Sequence, residues 1–301
     1  MPIVLDAHQY GKAENRVVRI RRDSPRHEIR DVTVSTSLRG DFADAYLRGD
    51  QSRVLPTDSQ KNTCYAYAKE QGLGTVEEYA LALARHFVDD VAPVTGARVE
   101  VEEHAWRRVE VDGEPHDHTW ERAGHDVRTA AVTVEGEGGQ QRAWVVGGLK
   151  DLVVLKSTGS EFSGFLVDEY TTLAETHDRV MATSLLARWR FTGTDVAWDE
   201  VHAGIRRVLL EQFATVHSLA LQQTLWHMGE AVLQRFPDVV EVRLSAPNKH
   251  HFPVDLTPFG LQNPGEVFRA EDRPYGLIEA SVAREEVPPA PSAWRAGAGR
   301  A

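Results

Sequence analysis

The chain has 301 residues, 42% hydrophobic and 26% charged, with a formal net charge of −11. That balance builds a soluble core of one large or two ordinary domains, and the acidic excess argues against nucleic acid or an anionic membrane as the main partner, since phosphate recognition needs a basic face. The single cysteine, Cys64, excludes an intramolecular disulfide and a thiolate zinc cluster within one chain. No apolar run approaches the ~20 residues of a membrane span and M-P-I-V-L-D lacks a signal-peptide pattern, so a reduced, cytoplasmic setting is expected.

Tyr10-Gly11-Lys12 precedes the first strand pattern. A lysine becomes a base only where burial or cationic neighbours depress its pKa, so Lys12 reads by default as a surface cation. Residues 15–22 and 27–37 alternate like strands about the turn signal R-D-S-P-R, which predicts a hairpin. A short helix is expected to begin near Thr57 or Asp58, where N-capping is the plain explanation of the hydroxyl. It carries Cys64 on an apolar face, the setting of a buried, inert thiol. Thr75 and Glu78 form a capping-box signature ahead of Val76, Tyr79, Ala80, Leu83, Phe87 and Val91 at helical spacing. Strands are expected at 98–109 and 127–135. Between them His116 and His118 have a spacing that can support a metal, but no third ligand follows at a recognisable interval, and a solvated loop is the better reading.

The second half repeats the plan. Strands fit 143–156 and 185–191, two helical patterns follow through Phe213 and Phe236, and strands return at 239–245, 250–256 and 277–284. Each half therefore reads as β-β-α-α-β-β, an α+β chain with antiparallel sheets and helices on one face. The division is 1–140, 141–286 and a flexible tail over 287–301, whose P-P-A-P-S-A-W-R-A-G-A-G-R-A is of disorder-prone composition. The open edges of such sheets can pair with other copies of the chain in an oligomeric barrel.

Several polar residues sit where chemistry is possible. The loop L-K-S-T-G-S-E-F-S-G-F carries Phe162 and Phe165, and its rings can stack on a flat ligand. Arg179 can give a planar anion a two-pronged contact, and Gln222 falls in the first turn of a helix, where backbone N–H groups are free to read a heterocycle. In S-A-P-N-K-H-H-F, strand alternation sends His250 and His251 to opposite faces, so they cannot share a metal. Asn248 and His250 share a face instead. A structural histidine and a proton-transferring one are both open readings of His250 from this stretch alone.

In order along the chain, Y-G-K-A, T-D-S-Q-K-N-T, L-K-S-T-G-S-E-F-S-G-F, D-E-Y-T-T-L-x-E-T-x-D-R, S-L-A-L-Q-Q-T, P-N-K-H-H-F and D-R-P-Y-G-L-I-E-A closely resemble the urate oxidase (uricase) family, from about Tyr10 to about Arg284. The resemblance implies a tunnelling fold (T-fold) of two β-β-α-α-β-β units, assembled as a homotetramer around a barrel-like tunnel with active sites at subunit interfaces. It implies oxidation of urate by O₂ and water to 5-hydroxyisourate and hydrogen peroxide, without metal or organic cofactor. By the same resemblance Lys12, Thr57 and His250 match the catalytic group, and Phe162 the ring on which the purine stacks. Arg179 and Gln222 match the grip on the planar anion, and Asn248 the amide that holds O₂ and then water. Asp58 matches a contact at the substrate edge, Leu173 a wall residue, and Leu221, where some members carry Val, a backbone contact. Two rivals are a purine or pterin T-fold enzyme that uses zinc and a non-catalytic T-fold binding protein. The diverging histidines count against the first, and the presence of Lys12, Thr57 and His250 against the second.

Overall fold

A long hairpin opens the chain: β1 (Tyr10–Arg21) and β2 (Glu28–Gly40) pair antiparallel from Arg21↔Glu28 to Tyr10↔Leu38. The computed structural model describes residues 2–297. A short α1 (Ala43–Arg48), then α2 (Thr57–Glu70) and α3 (Val76–Asp90) follow. The capping box predicted for α3 is present, with the Glu78 amide donating to the Thr75 hydroxyl and the Thr75 amide donating to the Glu78 carboxylate. The strands β3 (Val94–Glu103), β4 (Trp106–Val111), β5 (Glu114–Arg122), β6 (Val127–Glu135) and β7 (Arg142–Lys156) complete the half.

These elements belong to a first unit that, among the described residues, holds 2–148, Arg190–Asp199 and 288–297. Its sheet runs β1-β2-β3-β6 and on to the start of β7. Val99, Val101, Val132 and Val134 are fully buried, as are Leu83 and Phe87 of α3, which packs on β3 and β6. Burying each such side chain stabilises the fold by ~1.5–3 kcal/mol. Cys64 is buried too; loss of hydration pushes its thiol up to about 11, which leaves it inert.

Several expectations are corrected by the structure. The strand predicted for 98–109 ends at Glu103, and β4 and β5 form a separate two-stranded ribbon. Asp112 and Gly113 have φ of 53° and 82°, the left-handed pair of a tight hairpin turn. This D-G signal places His116 and His118 on an exposed strand rather than in a loop. Their rings are 4.5 Å apart, yet no group of three or more His, Cys, Asp or Glu among the described residues is arranged to hold a metal ion. The ribbon is anchored by Asp31, 3% exposed, which accepts from Arg16 at 2.5 and 2.7 Å and from the Trp106 indole at 2.9 Å. Burial alone would raise the Asp31 carboxyl, but these hydrogen bonds outweigh it and hold it below its usual range.

A further correction concerns the C-terminal segment. It was expected to be flexible from 287, but α6 (Pro291–Trp294) packs against β6 with Ala293 fully buried. Arg98 explains why: at 4% exposure its guanidinium needs acceptors, and it donates to the Ala293 carbonyl at 3.1 Å and to the Thr133 hydroxyl at 2.9 Å. Ser292 adds a bond to Glu135 at 2.8 Å. By compactness the first unit runs to Gly148 and takes in the tail through Gly297, the last described residue.

The second unit holds Leu149–Trp189 and Glu200–Val287. The later part of β7 is followed by β8 (Met181–Phe191), α4 (Trp198–Thr215), α5 (Leu221–Arg235), β9 (Val239–Pro253) and β10 (Phe268–Ala283), with β8, β9 and β10 adjacent in the sheet. The two strands predicted over 239–256 are one continuous strand. α5 lies on β9 and β10, and a Cβ added to Gly229 would sit 2.5 Å from a Val282 methyl, so glycine permits the close helix–sheet approach. Among the described residues no helix is long and apolar enough to cross a membrane.

In the first unit Glu77 of α3 is buried against Arg128 of β6 at 2.7 Å, and Arg128 also contacts Asp199. Burial outweighs the attraction and holds the Glu77 carboxyl above its usual range. Removing the guanidinium strands this carboxylate. Arg128→Met should cost about 3–5 kcal/mol in denaturant unfolding, and adding Glu77→Met should recover most of it.

Candidate active site

In the second unit a cavity of about 700 Å³ gathers most of the residues singled out from the sequence: Phe162, Leu173, Arg179, Leu221, Gln222, Asn248 and His250. They come from three sources: the stretch between β7 and β8, the start of α5, and the end of β9. The first lacks regular secondary structure, so its precision has to come from individual hydrogen bonds. The Phe162 amide donates to the Thr176 carbonyl at 2.8 Å and Thr176 returns the bond at 3.0 Å, which closes the stretch on itself. The Arg179 amide donates to the Ser160 carbonyl at 2.9 Å, and the Glu161 amide to the Ser218 carbonyl at 2.7 Å, just ahead of α5.

Phe162 stacks on Phe165 with centroids 5.0 Å apart, and the Arg179 guanidinium lies 5.3 Å from the Phe162 ring centre. Arg179 Nε donates to the Ser160 hydroxyl at 3.3 Å. Loss of hydration lowers its pKa, but a guanidinium starts so high that the side chain stays charged. The site thus offers an aromatic face beside a partly dehydrated cation, a pairing that suits a flat anion. Leu221 is 2% exposed and opens α5, while Gln222 follows in the first turn, where amide N–H groups have no intrahelical acceptor. Leu173, 57% exposed, stands at the cavity wall.

Asn248 and His250 lie on one face of β9 as alternation predicts. The row continues to Phe252, whose ring stacks with that of His250 at 5.6 Å and 23°. Asn248 pairs with Gly276 of β10 and His250 with Glu271, and an irregularity of register falls between them. The reading of His251 needs adjustment. It also borders the cavity, which wraps the end of the strand, but its Nδ1 lies 3.0 Å from its neighbour Lys249's carbonyl oxygen.

Lys12, Thr57 and Asp58 lie in the first unit. Thr57 is the first residue of α2, but the N-cap is Pro56, without a side-chain cap bond, so capping does not account for the Thr57 hydroxyl. Lys12 and Thr57 are half-buried and Asp58 is exposed. Lys12 lies near enough to Asp58 to add to the lowering of the carboxyl's pKa, which is caused mainly by the hydrogen bond from Lys61. Buried polar links tie the strand carrying Lys12 to the helix carrying Thr57. The Lys12 amide donates to the Thr36 hydroxyl at 3.3 Å, and that hydroxyl donates to Gln60 Oε1 at 2.7 Å. Gln60 Nε2 and the Tyr10 hydroxyl both reach the Leu55 carbonyl, at 3.4 and 3.0 Å. Sequence reasoning missed Thr36 and Gln60; polar residues inside otherwise apolar patterns were the available signal.

The uricase family's sequence model matches residues 8–133 and 145–279. A uricase of Arthrobacter globiformis is 50% identical over 283 residues, which cover 94% of this chain and 91% of that protein. One of Aspergillus flavus is 36% identical over 297 residues, with 93% and 97% covered. The crystal structure of the Arthrobacter globiformis uricase superposes with a TM-score of 0.91 at 48% identity, covering 96% of this chain and 98% of that one. A uricase from Bacillus fastidious, at 24% identity and a TM-score of 0.80 over 94% and 95%, shares the fold.

Gly11 precedes Lys12 where β1 meets β2, and a Cβ there would lie 1.7 Å from the Thr36 carbonyl oxygen. Gly11→Ala must therefore push the two strands apart beside Lys12. A stability loss of about 1–3 kcal/mol is expected, together with faster hydrogen exchange at the Lys12 amide.

Proposed function

The chain belongs to the uricase family, and on that premise we propose that it oxidises urate with O₂ and water to 5-hydroxyisourate and hydrogen peroxide. The observation that carries the reading is the convergence of Phe162, Arg179, Gln222, Asn248 and His250 on one cavity. A purine ring stacks on Phe162 while Arg179 and Gln222 hold its polar edges, with the backbone at Leu221 and the wall at Leu173 completing the grip. Asp58 supplies a contact at the substrate edge. Lys12 draws a proton from urate through the Thr57 hydroxyl, which leaves a dianion rich enough in electrons to reduce O₂. Two electrons pass from the purine to O₂; with two protons taken up, this yields hydrogen peroxide. Asn248 holds first the oxygen molecule and then the water that adds to the oxidised ring, and His250 positions that water and moves its proton.

Such a reaction needs orientation and proton transfer from the protein rather than a resident metal or organic cofactor. Holding the reactants in line can itself lower the barrier by several kcal/mol. In this reading the working form is a homotetramer of T-fold chains with active sites where subunits meet, in a cytoplasmic setting that suits its single reduced thiol.

Incubating chelator-treated protein with urate in oxygenated buffer should abolish the urate absorbance and release peroxide in equal amount. Persistent absorbance without peroxide overturns the reading. Lys12→Met should slow turnover by about 10²–10⁴-fold while leaving purine binding largely intact, whereas an equal loss of binding would assign Lys12 to substrate grip. Arg179→Lys keeps the charge but not the fork, and should raise KM more than it lowers kcat in steady-state assays.

A further inference from the structure

Glu161 precedes the stacking ring Phe162, and its two carboxylate oxygens engage two histidines from distant parts of the second unit. Oε1 accepts a hydrogen bond from His217 Nε2, and Oε2 lies 3.3 Å from His177 Nδ1. A carboxylate only accepts, so each of these ring nitrogens donates. His177 stands two residues before Arg179, and His217 stands four residues before Leu221, which opens α5. The hydrogen bonds from the two histidines hold the Glu161 carboxyl below its usual range. The carboxylate is 20% exposed, against 75% for His177 and 59% for His217. The backbone runs the same way: the Glu161 amide donates to the Ser218 carbonyl, and the Ser218 amide to the Gly159 carbonyl.

We propose that Glu161 is a positioning residue for the substrate, its carboxylate fastening together the three segments that carry Phe162, Arg179 and the Leu221–Gln222 helix start. Backbone bonds hold these segments in register, and the carboxylate sets their spacing from the outer side. Glu161 is not among the residues that line the cavity, so it acts through its neighbours. Its loss should weaken the grip on the purine and leave the chemical step alone. Ion pairs this exposed are individually weak, which makes a moderate effect the expected one.

The inference rests on the urate reading, and the test separates the two. The full chain and its E161A, E161Q and E161D variants are compared in steady-state urate oxidation, in calorimetric binding of xanthine as an unreacted planar purine, and in thermal unfolding. E161A should raise KM and the xanthine Kd about fivefold, with kcat within about twofold and an unchanged thermal midpoint. E161Q, which keeps one acceptor oxygen, should fall between E161A and the parent, and carries the test if E161A does not fold. Unchanged KM and Kd overturn the proposal. So does a fall of kcat in step with the thermal midpoint, which would make Glu161 purely structural. A parent chain that neither binds xanthine nor consumes urate overturns the urate reading and the inference with it.

Discussion

The cavity of the second unit depends on two buried serines. Ser160 and Ser218 are both fully buried and joined by a parallel backbone bridge. The Ser218 hydroxyl accepts from Thr224 of α5 at 2.8 Å and donates to the Ala220 carbonyl at 3.0 Å, while the Ser160 hydroxyl accepts from Arg179 Nε. A buried hydroxyl left unpaired costs about 1–3 kcal/mol, so such a network either closes completely or selects against the conformation. Closed, it gives an irregular stretch of chain the precision of a strand. Main-chain bonds thus place Phe162 and Arg179 beside each other, and the guanidinium packs 5.3 Å from the ring centre at the edge of the cavity.

The first unit solves the same problem by similar means. Thr36, 1% exposed, and Gln60, fully buried, pass a hydrogen bond from the strand of Lys12 to the helix of Thr57. In both units the candidate site residues lie toward the end of an element or in a loop, while the residues that fix them are polar and buried. This division suits the reaction proposed for the chain. In the proposed reaction the substrate supplies the electrons and the protein a held geometry and a path for protons, so the supports matter as well as the groups that would touch the purine.

How far this was legible follows from where the information lies. Alternation and capping are local, so the β1–β2 hairpin, the α3 capping box and the sharing of a face by Asn248 and His250 could all be read directly. The β4–β5 turn is legible too, through Asp112-Gly113, although the spacing of His116 and His118 without a third ligand reads as a solvated loop. What could not be read was anything set by contacts between distant residues. The docking of Ala293 onto Arg98 depends on a buried cation's need for acceptors 195 positions away, and composition alone reports only that the segment is rich in small residues and proline. Nor could the residues themselves show that Phe162 and Gln222 border one cavity; that came from the family resemblance.

A chain with a net charge of −11 gripping an anion presents an electrostatic problem that the cavity answers locally. The long-range field opposes approach, but it is screened over roughly 8–10 Å at physiological salt. Within that distance Arg179 faces two carboxylates of the same lining, Glu175 and Asp178, which are engaged by the Gly164 amide and by Thr158 and Gly159. Arg179 itself is partly dehydrated between Phe162 and Ser160, where the effective dielectric falls and attraction to an anion grows. The same dehydration would lower a lysine's pKa from a starting point closer to neutrality. A guanidinium tolerates it, because its pKa starts several units above neutrality, and its planar fork matches two acceptors at once. Aromatic face and guanidinium are therefore complementary: the ring excludes water from one side of the cation, and the cation gives direction to a surface that would otherwise bind any flat molecule.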